Sequence, residues 1–244
     1  SKNTIEKTIE ESLKRLRTDY IDLYQFHWPN RGSYMFRKNW IYDPSSQDKQ
    51  KTIDNMLDCL RALEEHVRQG NMRHVGLANE SAWGTAQWLR LSEENALPRV
   101  QTIQNEYSLL CRLYDTDLAE LSVNEEVGLL AFSPLAAGLL TGKYQNKKVP
   151  PGSRKSIVPE LSGRVTDRVW PAVDKYIEIG KKFQIDPVHL SIAWCLTRPF
   201  MCSVIIGATN TEQLLHILAS KNVEITQECL DDINNAHREV PMPF

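Results

Sequence analysis

Two periods of hydrophobic residues alternate along the chain. Ile5, Ile9, Leu13 and Leu16 recur at helical spacing with Lys and Glu between them. The stretch "YIDLYQFHWP" (20–29) then switches to period 2. Ile21, Leu23, Gln25 and His27 share one strand face, and Asp22, Tyr24, Phe26 and Trp28 the other. Pro29 closes the strand, because it has no N–H for a ladder. Residues 30–50 carry turn residues and aromatics without any period, and so long a loop is usually functional or disordered. Ile53, Met56, Leu57, Leu60, Leu63 and Val67 restore a helical stripe, stopped by Gly70 at C′. From there the pattern predicts strands at 72–78, 99–107, 127–135 and 202–208. It predicts helices at 81–95, 115–126, 166–183, 187–198, 210–220 and 226–238. Asp186 and Pro187 are the N-cap and N1 signal of the 187–198 helix, and 136–164 is a Gly/Pro-rich loop.

Five strands, each followed by helix, imply a parallel sheet with helical cover. An open doubly wound sheet and part of a (β/α)8 barrel both satisfy the pattern, and periodicity does not separate them. Polar residues gather at the C-terminal strand ends: Gln25 and His27, Asn79, Gln104 and Asn105, Ser133, then Gly207 and Thr209. That edge carries the chemistry in both architectures. In a barrel, Ile21 and Leu23 would fill the interior layers and His27 would line the mouth. Plainer readings stand beside these. A strand-end histidine is often structural, and Asn79 also fits as a cap of the 81–95 helix. Asn210 and Gln213 form a capping-box-like pair, and Arg154 and Lys155 fit a solvated loop.

The bulk properties narrow the function classes. The 244 residues are 41% hydrophobic and 25% charged, enough for one large α/β domain or two small ones. A net charge of −2 argues against a nucleic-acid partner. There is no run of about 18 apolar residues to span a membrane, and the opening "SKNTIEKTIEES" is not a signal peptide. The five cysteines are scattered, without a CxxC or Cys/His cluster, which argues against zinc and a disulfide framework and for a reducing, cytoplasmic setting. His66, His74, His189, His216 and His237 show no ligand spacing, so no metal site is assigned. GxGxxG, Walker-type, GxSxG and HExxH motifs are all absent from the sequence.

Taken in order, "SLKRLRTDYIDLYQFHWP", "GNMRHVGLANESAWG", "IQNEYSLL", "AFSPLAAGLLTGKY" and "IIGATNTEQL" resemble the aldo-keto reductase family. The likeness is strongest to its Tas-type bacterial members and related potassium-channel β subunits, and it covers essentially the whole chain. It implies a (β/α)8 barrel, with residues 1–244 as a single oxidoreductase domain representing strands 4–8. It also implies NADP(H) extended across the barrel top, with NAD(H) left open, and a small aldehyde or ketone substrate. By the resemblance, His27 helps orient the substrate carbonyl. Asn79 and Gln104 bind the nicotinamide carboxamide, with Ala78 where the family often has Ser. Phe132 offers the stacking face. Ser133, Leu135, Gly138 and Lys143 surround the pyrophosphate, and Arg154 reaches the 2′-phosphate. Gly207, Thr209 and Gln213 lie on the adenine side, where a small Gly207 permits close backbone approach.

Two departures follow from the same comparison. Where the family often has a basic residue on the last-strand segment and an adenine-contacting Asn, this chain has Gly207 and Ile217. That weakens NADP preference unless Arg154 compensates. The family's catalytic Asp, acid Tyr and partner Lys lie on its first three βα units, and the sequence begins at the helix before the fourth strand. The expectation is therefore a chain lacking that N-terminal portion and inactive alone, with Tyr24, Tyr34 and Tyr42 no substitutes for the acid. A nucleotide-binding regulatory or interaction subunit is the rival reading. An unrelated α/β hydrolase has no nucleophile motif to support it.

Overall fold

The computed structural model describes residues 2–244. Its elements are α1 (Lys2–Leu16), β1 (Ile21–Phe26), α2 (Lys49–Arg68), β2 (Met72–Ala78), α3 (Ala82–Asn95), β3 (Val100–Glu106) and α4 (Asp117–Asn124). They continue with β4 (Gly128–Phe132), α5 (Arg154–Ile157), α6 (Val169–Lys182), α7 (Pro187–Leu196), β5 (Met201–Val204), α8 (Thr211–Ala219) and α9 (Gln227–Glu239). Strand order is chain order. β1 pairs with β2, β2 with β3, and β4 with β5, each pair parallel. Parallel strands alternating with helices are the arrangement of a (β/α)8 barrel-type fold.

The strands stop earlier than the pattern predicts. β1 ends at Phe26 rather than 28, β4 at Phe132 rather than 135, and β5 at Val204 rather than 208. After β2 and β4 the backbone turns left-handed, at Asn79 (φ 56°) and Ser133 (φ 55°), which no ladder accommodates. The polar strand-end residues therefore lie mostly in the loops just past the sheet. The helix expected at 115–126 begins at Asp117, because Leu113–Asp115 forms a separate 3-10 turn. Short helical turns at 136–141, 145–147 and α5 break up the expected 136–164 loop. Leu16, expected to bury with Ile5 and Ile9, is exposed at the end of α1.

The chain divides into two compact units, residues 1–104 with 120–128, and residues 105–119 with 129–244. In the first, Ile9 of α1, Met56, Leu60 and Leu63 of α2, Val75 and Leu77 of β2, and Val100 and Ile103 of β3 form the core. The alternation along β1 holds. Tyr24 reaches Thr8 of α1 (3.0 Å between hydroxyls), Phe26 stacks on Trp88 of α3 (5.5 Å), and Gln25 faces the other way. Gly76 is required beside it. A Cβ there would come within 2.5 Å of Thr102 Oγ1 and 2.9 Å of Gln25 Cγ, and the strand register shifts at the same point.

In the second unit, Tyr107 stacks on Trp194 (5.1 Å) and meets Phe200 edge-on, beside the buried Leu129 and Ala131 of β4. A smaller cluster of Val188, Ile192 and Ile217 takes in Leu135, Val204 and Ile206. Helix starts follow the capping signals. Asp48, Ser81, Asp186, Asn210 and Thr226 all accept backbone N–H groups as N-caps.

Candidate active site

In the first unit the parallel pairing of β1, β2 and β3 brings three strand ends side by side. His27 lies one residue past β1, with an exposed side chain. Its carbonyl accepts a hydrogen bond from Asn79 Nδ2 (3.0 Å). The Asn79 backbone N–H donates to Gln104 O (3.0 Å), so Asn79 bridges its two neighbours. The Asn79 side chain is 2% exposed, and its Oδ1 is buried with no hydrogen-bond partner. The bond from Nδ2 settles which end of the amide is the oxygen. Asn79 does not cap α3; Ser81 does, accepting from Gly84 N–H (3.1 Å). Gln104 is half-buried at the end of the β2–β3 ladder.

Next to Asn79 stands a feature with no sequence signal. Arg31, from the loop after β1, forks onto Glu80 through Nη1 to Oε2 (3.0 Å) and Nη2 to Oε1 (2.5 Å). Their side chains are 7% and 2% exposed. Glu80 also accepts from Ser81 N–H (2.7 Å) and Trp88 Nε1–H (3.4 Å) at the N-terminus of α3, where a carboxylate is favoured by the helix dipole. The Arg31 guanidinium lies 5.1 Å from the Trp83 ring centre and donates to Ser81 Oγ. Gly84 is demanded by this arrangement, since a Cβ there would collide with Glu80 Oε1 and Arg31 Nη2. The partners are 49 residues apart, and no spacing rule pairs them.

The second unit holds the remaining predicted residues. Phe132 ends β4 half-exposed, and its carbonyl accepts from Tyr107 N–H (3.2 Å). Ser133 follows, with its Oγ 3.5 Å from Arg164 Nη2. Arg164 is itself buried and paired to Glu106 (Nε to Oε1, 2.8 Å), a second ion pair that sequence reasoning missed. Leu135 packs against Val188, Ile192 and Ile217. Ala136, Ala137 and Gly138 then run left-handed at φ 47°, 58° and 95°, in a turn where the Ala136 and Gly138 N–H groups donate back to the Ser133 and Leu135 carbonyls. At Gly138 a Cβ would press on Lys143 Cε (2.8 Å), so glycine lets the exposed Lys143 fold over this turn. Arg154 is exposed at the start of α5.

Past β5, a Cβ at Gly207 would meet nothing, so no contact within the protein demands glycine there. Gln213 Oε1 accepts from Thr209 N–H (3.1 Å) and its hydroxyl (3.0 Å), while Asn210 caps α8. Asn210 therefore makes the N-cap bond of a capping box, while the return bond from Gln213 goes to Thr209, one residue before the cap. Ile217, where the family often has Asn, is a packing residue of the small apolar cluster.

The tyrosines close to the site are engaged in holding structure. Tyr24 meets Thr8, and Tyr42 bonds to Gly32 O and accepts from Gln47. Tyr34 meets the Tyr42 ring edge-on. Tyr107 is buried and bonded to Asp115 Oδ1, and burial, then the Asp115 charge, pushes its hydroxyl far above the ordinary tyrosine range.

The sequence model of the aldo/keto reductase family matches residues 1–238. The chain belongs to that family. It is 38% identical over 245 residues to "Protein tas" of Escherichia coli (strain K12), covering 99% of this chain and 69% of that protein. An "Aldo-keto reductase" of Babesia bovis is 35% identical over 97% of this chain and 87% of its own length. A "Probable voltage-gated potassium channel subunit beta" of Arabidopsis thaliana is 30% identical over 98% of this chain and 68% of its own length. These matches run over nearly the whole of this chain, and over about two thirds of the length of the tas protein and of the channel subunit. Aldo-keto reductases are oxidoreductases that generally bind NAD(P)H and act on small carbonyl compounds. Among the described residues, no helix is long and apolar enough to cross a membrane.

The Arg31–Glu80 pair gives the first test. Glu80→Ala strands a buried guanidinium and is expected to lower the unfolding free energy by about 3–5 kcal/mol, read from urea denaturation. A loss below about 1 kcal/mol, the scale of an exposed pair, would show that the fork does not hold this turn.

Proposed function

We propose that this protein is an NADP(H)-dependent reductase that converts aldehydes or ketones to alcohols, with residues 1–244 acting as one oxidoreductase domain. The observation that carries the reading is Asn79 Oδ1, a buried acceptor without a partner between His27 and Gln104. Leaving such a group unpaired costs about 1–3 kcal/mol, and a carboxamide NH2 is the donor that would satisfy it. When bound, the nicotinamide supplies a hydride to the carbonyl carbon. Asn79 and Gln104 orient it through its carboxamide, and Phe132 offers an aromatic face. Ser133, Leu135 and Gly138 lie in the turn that receives the pyrophosphate, and Lys143, folded over Gly138, compensates its charge. Arg154 forks the 2′-phosphate, and Gly207, Thr209 and Gln213 meet the adenine side.

His27 donates an imidazole N–H to the carbonyl oxygen, where negative charge develops, and the proton that completes the alcohol would come from the family's acid Tyr, a role in which Tyr24, Tyr34 and Tyr42 do not substitute. The scattered cysteines, without a CxxC pair, support a reducing, cytoplasmic setting. Similarity to the channel subunit supports a second reading, a nucleotide-binding subunit without turnover. NADPH binding with no aldehyde-dependent oxidation at 340 nm, in a protein that carries the family's Asp, Tyr and Lys, would select it.

Three variants test the reading. NADPH is expected to quench tryptophan fluorescence, and Gln104→Ala to weaken that binding by about 1–3 kcal/mol; a wild-type-like affinity removes Gln104 from the site. Arg154→Ala is expected to harm NADPH binding more than NADH binding, since only NADPH carries the 2′-phosphate. Equal losses would make Arg154 plain surface. In a protein that also carries the family's acid Tyr, His27→Ala is expected to lower kcat/KM for aldehydes about 10²-fold or more with NADPH affinity nearly unchanged. An unaltered rate would leave His27 a structural strand-end residue.

A further inference from the structure

Outside the proposed cofactor residues, one cluster of ligand-type side chains lies in the second unit, where α7 meets α8. Asp186, the N-cap of α7, and His189, one turn on, face His216 in the last turn of α8. One ligand atom from each lies within 4.8 Å of the others. His216 Nε2 is 3.1 Å from Asp186 Oδ1, and the two imidazole rings are 4.5 Å apart between centroids. We propose that Asp186, His189 and His216 bind one Zn2+ ion that staples α7 to α8.

The donor set fits that ion. Two neutral imidazoles and one carboxylate suit Zn2+ and are poor partners for Mg2+ or Ca2+, which take oxygen ligands. Tetrahedral zinc with ligand bonds near 2.0–2.1 Å separates its ligands by roughly 3.3 Å, and the Asp186–His216 spacing already matches this. His189 is the side chain that must move. Its Nε2 now bonds to the His216 carbonyl (2.8 Å), an exposed contact that zinc would replace.

The ligands rest on buried apolar neighbours. Val188 and Ile217, each next in sequence to a ligating histidine, are both buried in the cluster with Ile192. Asp186 Oδ1 is oriented by Val188 N–H (2.8 Å) and His189 N–H (3.4 Å), the outer-shell support that bound carboxylates need. Three ligands leave the fourth position to water, as in open zinc sites. The staple would clamp α8 one turn beyond Gln213.

Calorimetric titration of ZnCl2 into the purified chain tests this, with far-UV circular dichroism to verify folding of each variant. One equivalent of zinc is expected to bind. His189→Ala and His216→Ala, or the glutamine variants if alanine perturbs the fold, should each weaken binding at least about tenfold. Asp186→Asn keeps the helix cap and should weaken it too. His74→Ala and Cys202→Ser, at exposed positions outside the three-residue cluster, should leave it unchanged. Visible absorption of bound Co2+ should change with the same three residues. No uptake by the wild type, equal uptake by a His189→Ala/His216→Ala double variant, or loss of uptake with Cys202→Ser would each overturn the proposal.

Discussion

Arg31 and Glu80 make the contact on which the first unit's site depends. Two charges are removed from water there, and the cost is offset only because every acceptor direction of the carboxylate is used: the guanidinium fork, the Ser81 N–H and the Trp88 indole. The pair locks the loop after β1 to the turn that opens α3. Asn79 lies between that turn and β2, so its left-handed backbone and its bond to the His27 carbonyl follow from where Glu80 is held. Gly84 is part of the same constraint, because any side chain there would occupy the space of the fork.

The second unit uses the same device. Arg164 is held by Glu106 and by the Leu161 carbonyl, and its free edge reaches Ser133 Oγ at the turn out of β4. In both units a buried carboxylate, Glu80 in the turn before α3 and Glu106 at the end of β3, takes an arginine from a long loop, and a predicted site residue sits beside the pair. Such pairs add little net stability against apolar replacements, but they admit one geometry and penalise the rest. That suits a loop whose job is to place a polar group at a sheet edge, where apolar packing has no directional preference.

Much of this was legible along the chain. The alternation of periods located every strand and the long helices, because burying one face imposes 2.0 or 3.6 on the sequence whatever the tertiary context. The caps at Asp186 and Asn210 were legible for a similar reason, being local hydrogen bonds between near neighbours. The strand ends were less so. β4 and β5 stop short of the predicted bounds, since apolar residues such as Leu135 and Ile206 continue past the ladder to pack against Val188, Ile192 and Ile217. Hydrophobicity reports burial, and burial outlasts the hydrogen-bonded strand.

The sequence by itself determined the parallel βα alternation, the strand-end positions of His27, Asn79, Gln104 and Ser133, and the family. These rest on short-range patterns and on ordered motifs. Only the tertiary structure decided which groups face each other across long separations: Arg31 with Glu80, Arg164 with Glu106, and Asp186 and His189 with His216. It also left Asn79 Oδ1 buried and unpaired, and made Ile217 a packing residue. Charge and ligand pairing depend on distance in space, and a chain 244 residues long folds that distance in ways its spacing does not record.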